Sequence, residues 1–251
     1  MLKKIDNILV EYEYKKISKK TIIFLHGFLG NLKSFENISQ SFQNFGFSTL
    51  NINLTDFGFK TLPKSFTIYD YANIVYKLIK KLKIKSCILI GHSFGGRISI
   101  ILSSMYDLCI EKLVLVDSAG IKPRLNLKTK FKILKYKFCK FLVNKNLKSK
   151  EILDKFGSDD YKLLSKNLQS VFVNVVNEDL TYLLKNIKSK TLIIFGKNDK
   201  TTPVYMAKKL NKNIKNSTLI LLDGGHFCFV DNNFKFLQIV KDFLEDKINS
   251  N

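Results

Sequence analysis

A short apolar segment, 87–90, leads directly into Gly-His-Ser-Phe-Gly-Gly and then into an apolar helical pattern. This order predicts a strand, a tight turn at Ser93 and a helix. Gly91 and Gly95, two positions to either side of the serine, allow the strand and the helix to approach closely. Such a turn strains the serine backbone and lifts its hydroxyl to the N-terminus of the helix, where negative charge is favoured. Ser93 is therefore a candidate nucleophile.

Strand and helix patterns alternate through the first half of the chain and resume near its end. The predicted strands are 8–14, 21–25, 47–54, 87–90, 112–116, 191–195 and 217–222. Alternation of this kind predicts an α/β fold, with a mostly parallel central sheet of about seven or eight strands that helices flank. Ligands of such sheets bind at the carboxyl ends of the strands.

Residues 121–188 interrupt the alternation and contain helical patterns without a convincing strand. We therefore expect an α/β core at 1–120 and 189–251, with a helical lid insertion at 121–188. A helix at 127–143 carries an apolar stripe that includes Phe131, Leu134, Phe138 and Phe141, with lysines on its other faces. A basic amphipathic helix can lie on a membrane surface or contact an acidic partner. We favour the simpler interpretation, a lid helix whose apolar stripe covers the site.

A serine hydroxyl is a weak nucleophile at neutral pH and needs an adjacent base, for which histidine is well suited. The chain contains three histidines. His226 follows the last predicted strand in a Gly-Gly-His-Phe turn, and we predict that it is the base. His92 lies inside the nucleophile turn, and we expect its side chain to point away from the site. His26 follows an early strand, and we expect it to brace a turn by hydrogen bonding.

The base needs an acid that orients it and stabilises its charged form. Asp199 follows the strand that precedes the His226 strand, and we predict that it is this acid. The order Ser93, Asp199, His226 also matches the chain order of hydrolases with this nucleophile turn. Two alternatives remain. Asp117 also follows a strand, and Asp223 lies three residues before His226, although Asp-Gly-Gly is more typical of a turn.

An oxyanion hole is usually built from two backbone N–H groups. One is predicted to come from Phe94, directly after the nucleophile. The other is predicted to come from the turn His26-Gly27-Phe28, at Phe28. We expect the acyl pocket to lie between the sheet edge and the lid, and its predicted lining residues are Phe28, Phe94, Leu134, Phe138 and Val204.

The composition indicates a globular chain, since 45% of its residues are hydrophobic. The absence of a signal-peptide pattern or a long apolar run predicts a cytoplasmic protein without an integral membrane segment. The formal net charge of +21 is compatible with an acidic partner, but lysine supplies nearly all of it. Because proteins that read nucleic acid depend on arginine, we expect compositional bias and no nucleic-acid partner. The four cysteines have no metal-ligand spacing.

Four segments in order carry a resemblance to a known family: His26-Gly27-Phe28-Leu29-Gly30, residues 91–96, residues 196–203 and Gly224-Gly225-His226. The chain is identified by them as a member of the α/β-hydrolase fold superfamily. It resembles small bacterial serine carboxylesterases, including those that cleave pimeloyl-carrier-protein methyl ester. Two features depart from the pattern of that family. Asn53-Leu54-Thr55-Asp56-Phe57-Gly58 stands where relatives read Asp-Leu-Pro-Gly-x-Gly, and the first of the usual eight strands is expected to be missing or abbreviated.

The resemblance and the site residues together imply a serine hydrolase that cleaves a carboxylic ester or thioester through an acyl-enzyme, with no cofactor and no metal. The expected partner is a small-molecule ester or thioester, and an acidic acyl carrier protein is a second candidate because the lid is rich in lysine. Two alternatives stay open. One is a carbon–carbon bond hydrolase of the same fold, and the other is a non-catalytic ligand-binding member.

Overall fold

A central sheet of eight strands runs through the protein in the order β1-β2-β4-β3-β5-β6-β7-β8. The computed structural model describes residues 1–57, 62–124, 127–145, 147–149, 151–152, 156, 161–162 and 164–248. The strands are β1 Leu2–Ile5, β2 Ile8–Lys15, β3 Thr21–Leu25, β4 Ser48–Ile52, β5 Ser86–His92, β6 Cys109–Val116, β7 Lys190–Gly196 and β8 Ser217–Leu222. The predicted α/β class and mostly parallel sheet are confirmed.

The two N-terminal strands form the antiparallel edge of this sheet. β1 pairs antiparallel with β2, β2 pairs antiparallel with β4, and every pair from β4 to β8 is parallel. β1 is the strand that was expected to be missing or abbreviated. It is present but only four residues long, and Ile5 is its one fully buried residue. So short an alternation gives little pattern for sequence analysis to detect.

Helices lie between the strands and cover both faces of the sheet. They are α1 Glu36–Asn44, α2 Ile68–Lys81, α3 Phe94–Met105, α4 Leu127–Asn144, α5 Lys166–Val176, α6 Val204–Asn213, α7 Cys228–Asp231 and α8 Asn233–Leu244. α2 begins at a capping box, in which the Thr67 hydroxyl accepts from the Asp70 amide and the Asp70 carboxylate accepts from the Thr67 amide. Apolar residues at helical spacing, Tyr71, Val75 and Leu78, then bury one side of this helix.

The core consists of two apolar clusters, one on each face of the sheet. α2, α3, α5 and α6 contribute to one cluster, and α1 and α8 contribute to the other. Strands β3, β5 and β7 are buried along nearly their whole length because helices cover both of their faces. Within the described ranges, no helix combines the length and the apolar character needed to cross a bilayer.

The segment between β6 and β7 is helical where it is described. It contains α4, α5 and a 3-10 helix at Thr181–Asn186, and none of its described residues belongs to a strand. The bounds of α5 were not predicted, although the segment was expected to be helical. This helix packs into the core cluster through Leu168, Val171 and Val175. The division of the chain into a core and a lid domain at 121–188 stays a prediction.

The parallel strands place candidate functional residues at one edge of the sheet. His26 follows β3, Ser93 follows β5 and Asp117 follows β6, each directly after the last strand residue. Asp199 lies three residues beyond β7 and His226 lies four residues beyond β8. Because the carboxyl ends of parallel strands share one edge, these side chains come within reach of one another.

The close approach of α3 to β3 gives a test of this architecture. A Cβ atom at Gly95 would overlap the Leu25 carbonyl, a backbone atom that cannot move aside. We expect Gly95→Ala to lower the free energy of unfolding by about 3 kcal/mol, as overpacking does, measured by urea denaturation. Gly225→Ala is the control, because a Cβ atom there meets nothing within 4 Å. Equal stability of the two variants would contradict the packing described here.

Candidate active site

The Ser93 turn lies between β5 and α3 in a strained backbone conformation. Ser93 has φ of 50° and ψ of −109°, a region that L-residues rarely adopt. Neighbouring strands hold the turn in place. The Ser93 amide donates to the Val116 carbonyl at 3.1 Å, the Ala119 amide donates to the Ser93 carbonyl at 3.1 Å, and the Gly95 amide donates to the His26 carbonyl at 3.1 Å. Strain of this kind persists only where the surroundings impose it.

Three side chains form a continuous hydrogen-bonded chain at this edge. The Ser93 Oγ lies 3.0 Å from His226 Nε2. The His226 Nδ1 lies 2.8 Å from Asp199 Oδ2. Because the carboxylate can only accept, Nδ1 carries the proton and Nε2 is left free to accept the serine proton. The structure thus brings together the three residues that the sequence singled out, in the geometry of a nucleophile, a base and an orienting acid.

Asp199 is held by donors on the loop after β7. Its Oδ1 accepts from the amides of Thr201 at 2.7 Å and Thr202 at 3.0 Å, and its Oδ2 accepts from the Thr202 hydroxyl at 2.6 Å. Burial acts to raise the pKa of Asp199, but the hydrogen bonds from His226 and Thr202 outweigh it and keep this pKa below its usual range. The carboxylate is therefore charged when it faces His226.

The two alternative acids have other partners. Asp117 is fully buried, and its carboxyl accepts from the Gly196 amide at 2.8 Å and from the Cys228 thiol at 3.1 Å. Burial raises the pKa of Asp117 to about 7, although these hydrogen bonds partly oppose the rise. Asp223 is exposed and pairs with Lys197 at 2.7 Å. Asp199 alone of these three carboxylates is hydrogen-bonded to the His226 ring.

His26 braces the turn that carries Phe28, as predicted. Its Nδ1 donates to the Gly27 carbonyl at 2.7 Å, and its Nε2 accepts from the Leu54 amide at 2.9 Å. Burial lowers the pKa of His26 to about 4, so the ring is neutral. The unusual loop after β4 also supports the turn, because the Thr55 hydroxyl accepts from the Leu29 amide at 3.1 Å.

The environment of His92 differs from the prediction. Its ring does not point away from the site but packs on His226, with ring centroids 4.8 Å apart, and its Nε2 donates to the His226 carbonyl at 2.8 Å. Burial, and then the neighbouring His226, lower the pKa of His92 to about 3, which keeps the ring neutral. His92 therefore positions the loop that carries His226. A histidine directly before the nucleophile was the only sequence signal for this role.

A cavity of about 760 Å³ opens beside Ser93. The predicted residues Phe28 and Phe94 line it, and their rings meet edge to face with centroids 5.1 Å apart. Both belong to the turns predicted to supply the oxyanion hole. Sequence analysis missed the wall that α5 contributes through Phe172, Val175 and Val176, although the apolar spacing from Leu168 onward is typical of a buried helix face. The cavity is thus largely apolar, as small-molecule sites are.

Three predicted pocket residues lie elsewhere. Leu134 and Phe138 are exposed on α4, and neither is among the described residues that line the cavity. The expectation that the apolar stripe of α4 covers the site is therefore wrong. Helical spacing reveals an apolar stripe but not the direction in which it faces. In α4 the buried residues are Cys139 and Val143, not those of the stripe. Val204 is the first residue of α6 and does not line the cavity. Met206, two residues later, does.

Arg97 connects the nucleophile helix to the cavity wall. Its side chain is buried and lines the cavity. One terminal nitrogen donates to the Glu178 carbonyl at 2.7 Å, and the other donates to the Val176 carbonyl at 3.1 Å. Burial lowers the pKa of Arg97 to about 10, well above neutrality. The charged guanidinium therefore fixes the C-terminal end of α5 over the site.

Comparison with known protein families agrees with this geometry. A model described as alpha/beta hydrolase fold matches residues 20–142, and a model described as serine hydrolase (FSH1) matches residues 88–234. Together they cover the Ser93 turn and the loops that carry Asp199 and His226. The chain belongs to the α/β-hydrolase fold superfamily, and within it to a serine hydrolase family.

Relatives of known sequence cover nearly the whole chain. The uncharacterized hydrolase YugF of Bacillus subtilis is 26% identical over 96% of this chain and 96% of its own length. Putative esterase/lipase 2 of Mycoplasma genitalium is 27% identical over 96% of this chain and 94% of its own. The pimeloyl-[acyl-carrier protein] methyl ester esterase of Wigglesworthia glossinidia brevipalpis is 28% identical over 89% of this chain and 93% of its own.

Solved structures share the fold. An esterase from Exiguobacterium antarcticum superposes with a TM-score of 0.75 at 21% identity, over 96% of this chain and 97% of its own. MenH from Staphylococcus aureus gives a TM-score of 0.71 at 21% identity, over 94% of this chain and 98% of its own. These similarities confirm the predicted architecture of the sheet and its helices.

The buried Asp117 should make stability depend on pH. Because burial raises its folded pKa to about 7 from the ordinary value of 3.8, its contribution to stability is complete below the unfolded value and is lost as pH rises through 7. Asn cannot titrate. We therefore expect the stability of Asp117→Asn, relative to the wild type, to rise by about 3 kcal/mol from pH 4 to 8 in urea titrations.

Asp223→Asn is the matched control for this experiment. Its carboxyl is exposed, and the hydrogen bond and charge of Lys197 lower its pKa rather than raise it. The same titrations should show no relative gain for this variant as pH rises. A flat difference between Asp117→Asn and the wild type would refute the raised pKa.

Proposed function

We propose that this protein is a serine hydrolase that cleaves a carboxylic ester or thioester through an acyl-enzyme. The observation that carries the proposal is the chain of hydrogen bonds from Ser93 through His226 to Asp199, at the mouth of an apolar cavity. Named relatives support the bond type, since two of them are described as an esterase/lipase and a methyl ester esterase.

In the proposed acylation step, the Ser93 oxygen attacks the substrate carbonyl carbon while His226 Nε2 takes the hydroxyl proton. The electron pair of the carbonyl bond moves to its oxygen. The Phe28 and Phe94 amides stabilise this oxyanion, and Asp199 stabilises the charged imidazolium. Collapse of the tetrahedral intermediate breaks the bond to the alcohol or thiol, which leaves with the proton from His226.

In the proposed deacylation step, water replaces the leaving group beside His226. The ring takes one proton from this water as the oxygen attacks the acyl carbon. The second tetrahedral intermediate releases the carboxylic acid, and His226 returns the proton to Ser93. Phe28 and Phe94 also contact the acyl chain in this proposal, together with Phe172 of α5.

The arrangement of Arg97 favours ester cleavage over the carbon–carbon alternative. Hydrolysis of a dienoic diketone acid requires a cation for an additional carboxylate. Arg97 is a cation in the wall of the cavity, and each of its terminal nitrogens already donates to a main-chain carbonyl. Ser34, Thr201 and Thr202 add hydroxyl groups to the lining, but most of the remaining wall is apolar, a surface suited to an uncharged acyl chain.

Hydrolysis of p-nitrophenyl esters, from acetate to palmitate, tests the proposal. We expect turnover by the wild type with an optimum at a medium acyl chain, and a fall of about 10⁴-fold or more in Ser93→Ala. Ser104→Ala is the control, because its hydroxyl only donates to carbonyls within α3. Turnover that survived in Ser93→Ala would exclude the serine mechanism. A wild type inert on every ester would favour the carbon–carbon hydrolase or a non-catalytic binder.

The role of the acid is tested separately. In Asp199→Asn the amide can no longer hold the protonated imidazolium or fix its tautomer, so we expect kcat to fall by about 10³-fold or more. Asp223→Asn removes an exposed carboxylate on the loop of His226 and should stay within about twofold of the wild type. A similar loss of kcat in both variants would contradict the assignment of Asp199 as the acid that orients His226.

A further inference from the structure

α4 presents an apolar stripe to solvent. The exposed fractions are 76% for Phe131, 62% for Leu134, 61% for Phe138 and 54% for Phe141. Successive helical residues are rotated by about 100°, so these four side chains lie within an arc of about 80°. The buried residues of this helix, Cys139 and Val143, lie on roughly the opposite side. A large exposed apolar surface with polar borders marks an interaction site.

Lysines border this stripe on both sides. α4 contains six lysines and no acidic residue in 18 positions. On the helical wheel, Lys135 lies beyond one edge of the stripe and Lys137 lies beyond the other, and both side chains are exposed. The stripe and its bordering lysines, Phe131 to Phe141, are called the α4 surface below. It combines the two attractions that hold an amphipathic helix on an anionic bilayer.

We propose that the α4 surface docks this protein on a membrane surface that contains anionic phospholipid. The helix lies in the plane of the headgroups, where Phe131, Leu134, Phe138 and Phe141 enter the acyl boundary and the lysines contact lipid phosphates. Because the four side chains share one face of the helix, all of them can reach the same plane when the helix axis lies parallel to the membrane. Docking brings the hydrolase of the proposed function to lipid, but it does not depend on turnover.

Other occupants fit the α4 surface less well. A second copy of the chain would place six lysines against six lysines, with no acidic residue in either helix to neutralise them. An acidic carrier protein would form ion pairs with the lysines. Ion pairs alone would not bury the three exposed phenylalanines and the leucine that lie along one face. An anionic bilayer uses the charges and the apolar side chains together.

Co-sedimentation with phospholipid vesicles tests the apolar component. We expect the full-length protein to bind phosphatidylcholine vesicles with about 30% phosphatidylglycerol at least about tenfold more strongly than phosphatidylcholine alone. Leu134→Gln/Phe138→Gln should weaken this binding about tenfold. The matched control Ile17→Gln/Met105→Gln replaces two apolar residues that are exposed elsewhere, and it should change binding less than about twofold.

The charged component has its own pair of variants. Lys135→Gln/Lys137→Gln should weaken binding to the anionic vesicles about tenfold, and the loss should shrink at high salt. Lys208→Gln/Lys212→Gln removes the same charge from exposed positions on α6 and should have less than about a twofold effect. Equal losses in the two lysine pairs would mean that net charge alone attracts the protein, and the proposal would fail.

Activity on a soluble short-chain ester keeps the two proposals apart. All four variants should hydrolyse this ester at the wild-type rate, which shows that they fold and that the α4 surface lies outside the proposed site. Absence of vesicle binding by an active wild type would overturn the docking proposal alone. Preferential capture by an acidic acyl carrier protein, with no binding to vesicles, would also overturn it. Vesicle binding by Ser93→Ala would support docking even where ester hydrolysis failed.

Discussion

The strained turn at Ser93 depends on one close backbone contact, the passage of α3 across the end of β3. Gly95 sits against the Leu25 carbonyl with no room for a side chain, and its amide donates to the His26 carbonyl. This contact fixes where the nucleophile helix starts. It also joins the Ser93 turn to the turn of Phe28, so the hydroxyl and the two proposed oxyanion donors share one rigid support.

Asp199 and His226, the proposed acid and base, are held from the opposite side of the site. Thr202 contributes twice, since its hydroxyl and its amide both donate to Asp199, and the same hydroxyl lies 3.0 Å from the Asp117 carbonyl. His92 holds the His226 loop through the main-chain carbonyl. Burial keeps His92 neutral, whereas hydrogen bonds keep Asp199 charged, and both states suit their positions. His92 and Asp199 are near neighbours, yet their different surroundings fix one as neutral and the other as charged.

Much of this architecture could be predicted from the sequence, because the decisive signals are local. A buried strand followed by Gly-His-Ser-Phe-Gly requires a specific turn, and strand ends in a parallel sheet place Ser93, Asp199 and His226 at one edge. Chain order favoured Asp199 among three aspartates, but only distances show that Asp117, at the same edge, bonds to Gly196 and Cys228 and not to His226. β1 was too short to leave a clear pattern.

The helices between β6 and β7 show where sequence reasoning stops. The stripe of Leu134 and Phe138 and the apolar face of α5 have similar spacing, but only α5 turns its face to the cavity. Tertiary packing decides that direction, and the spacing of residues within one helix does not reveal it.

Arg97 adds a further consequence. Because its guanidinium ties the α5 terminus to α3, single side chains of α5 can change the shape of the cavity while the wall itself stays fixed. The exposed face of α4 can meanwhile vary without altering what the cavity accepts.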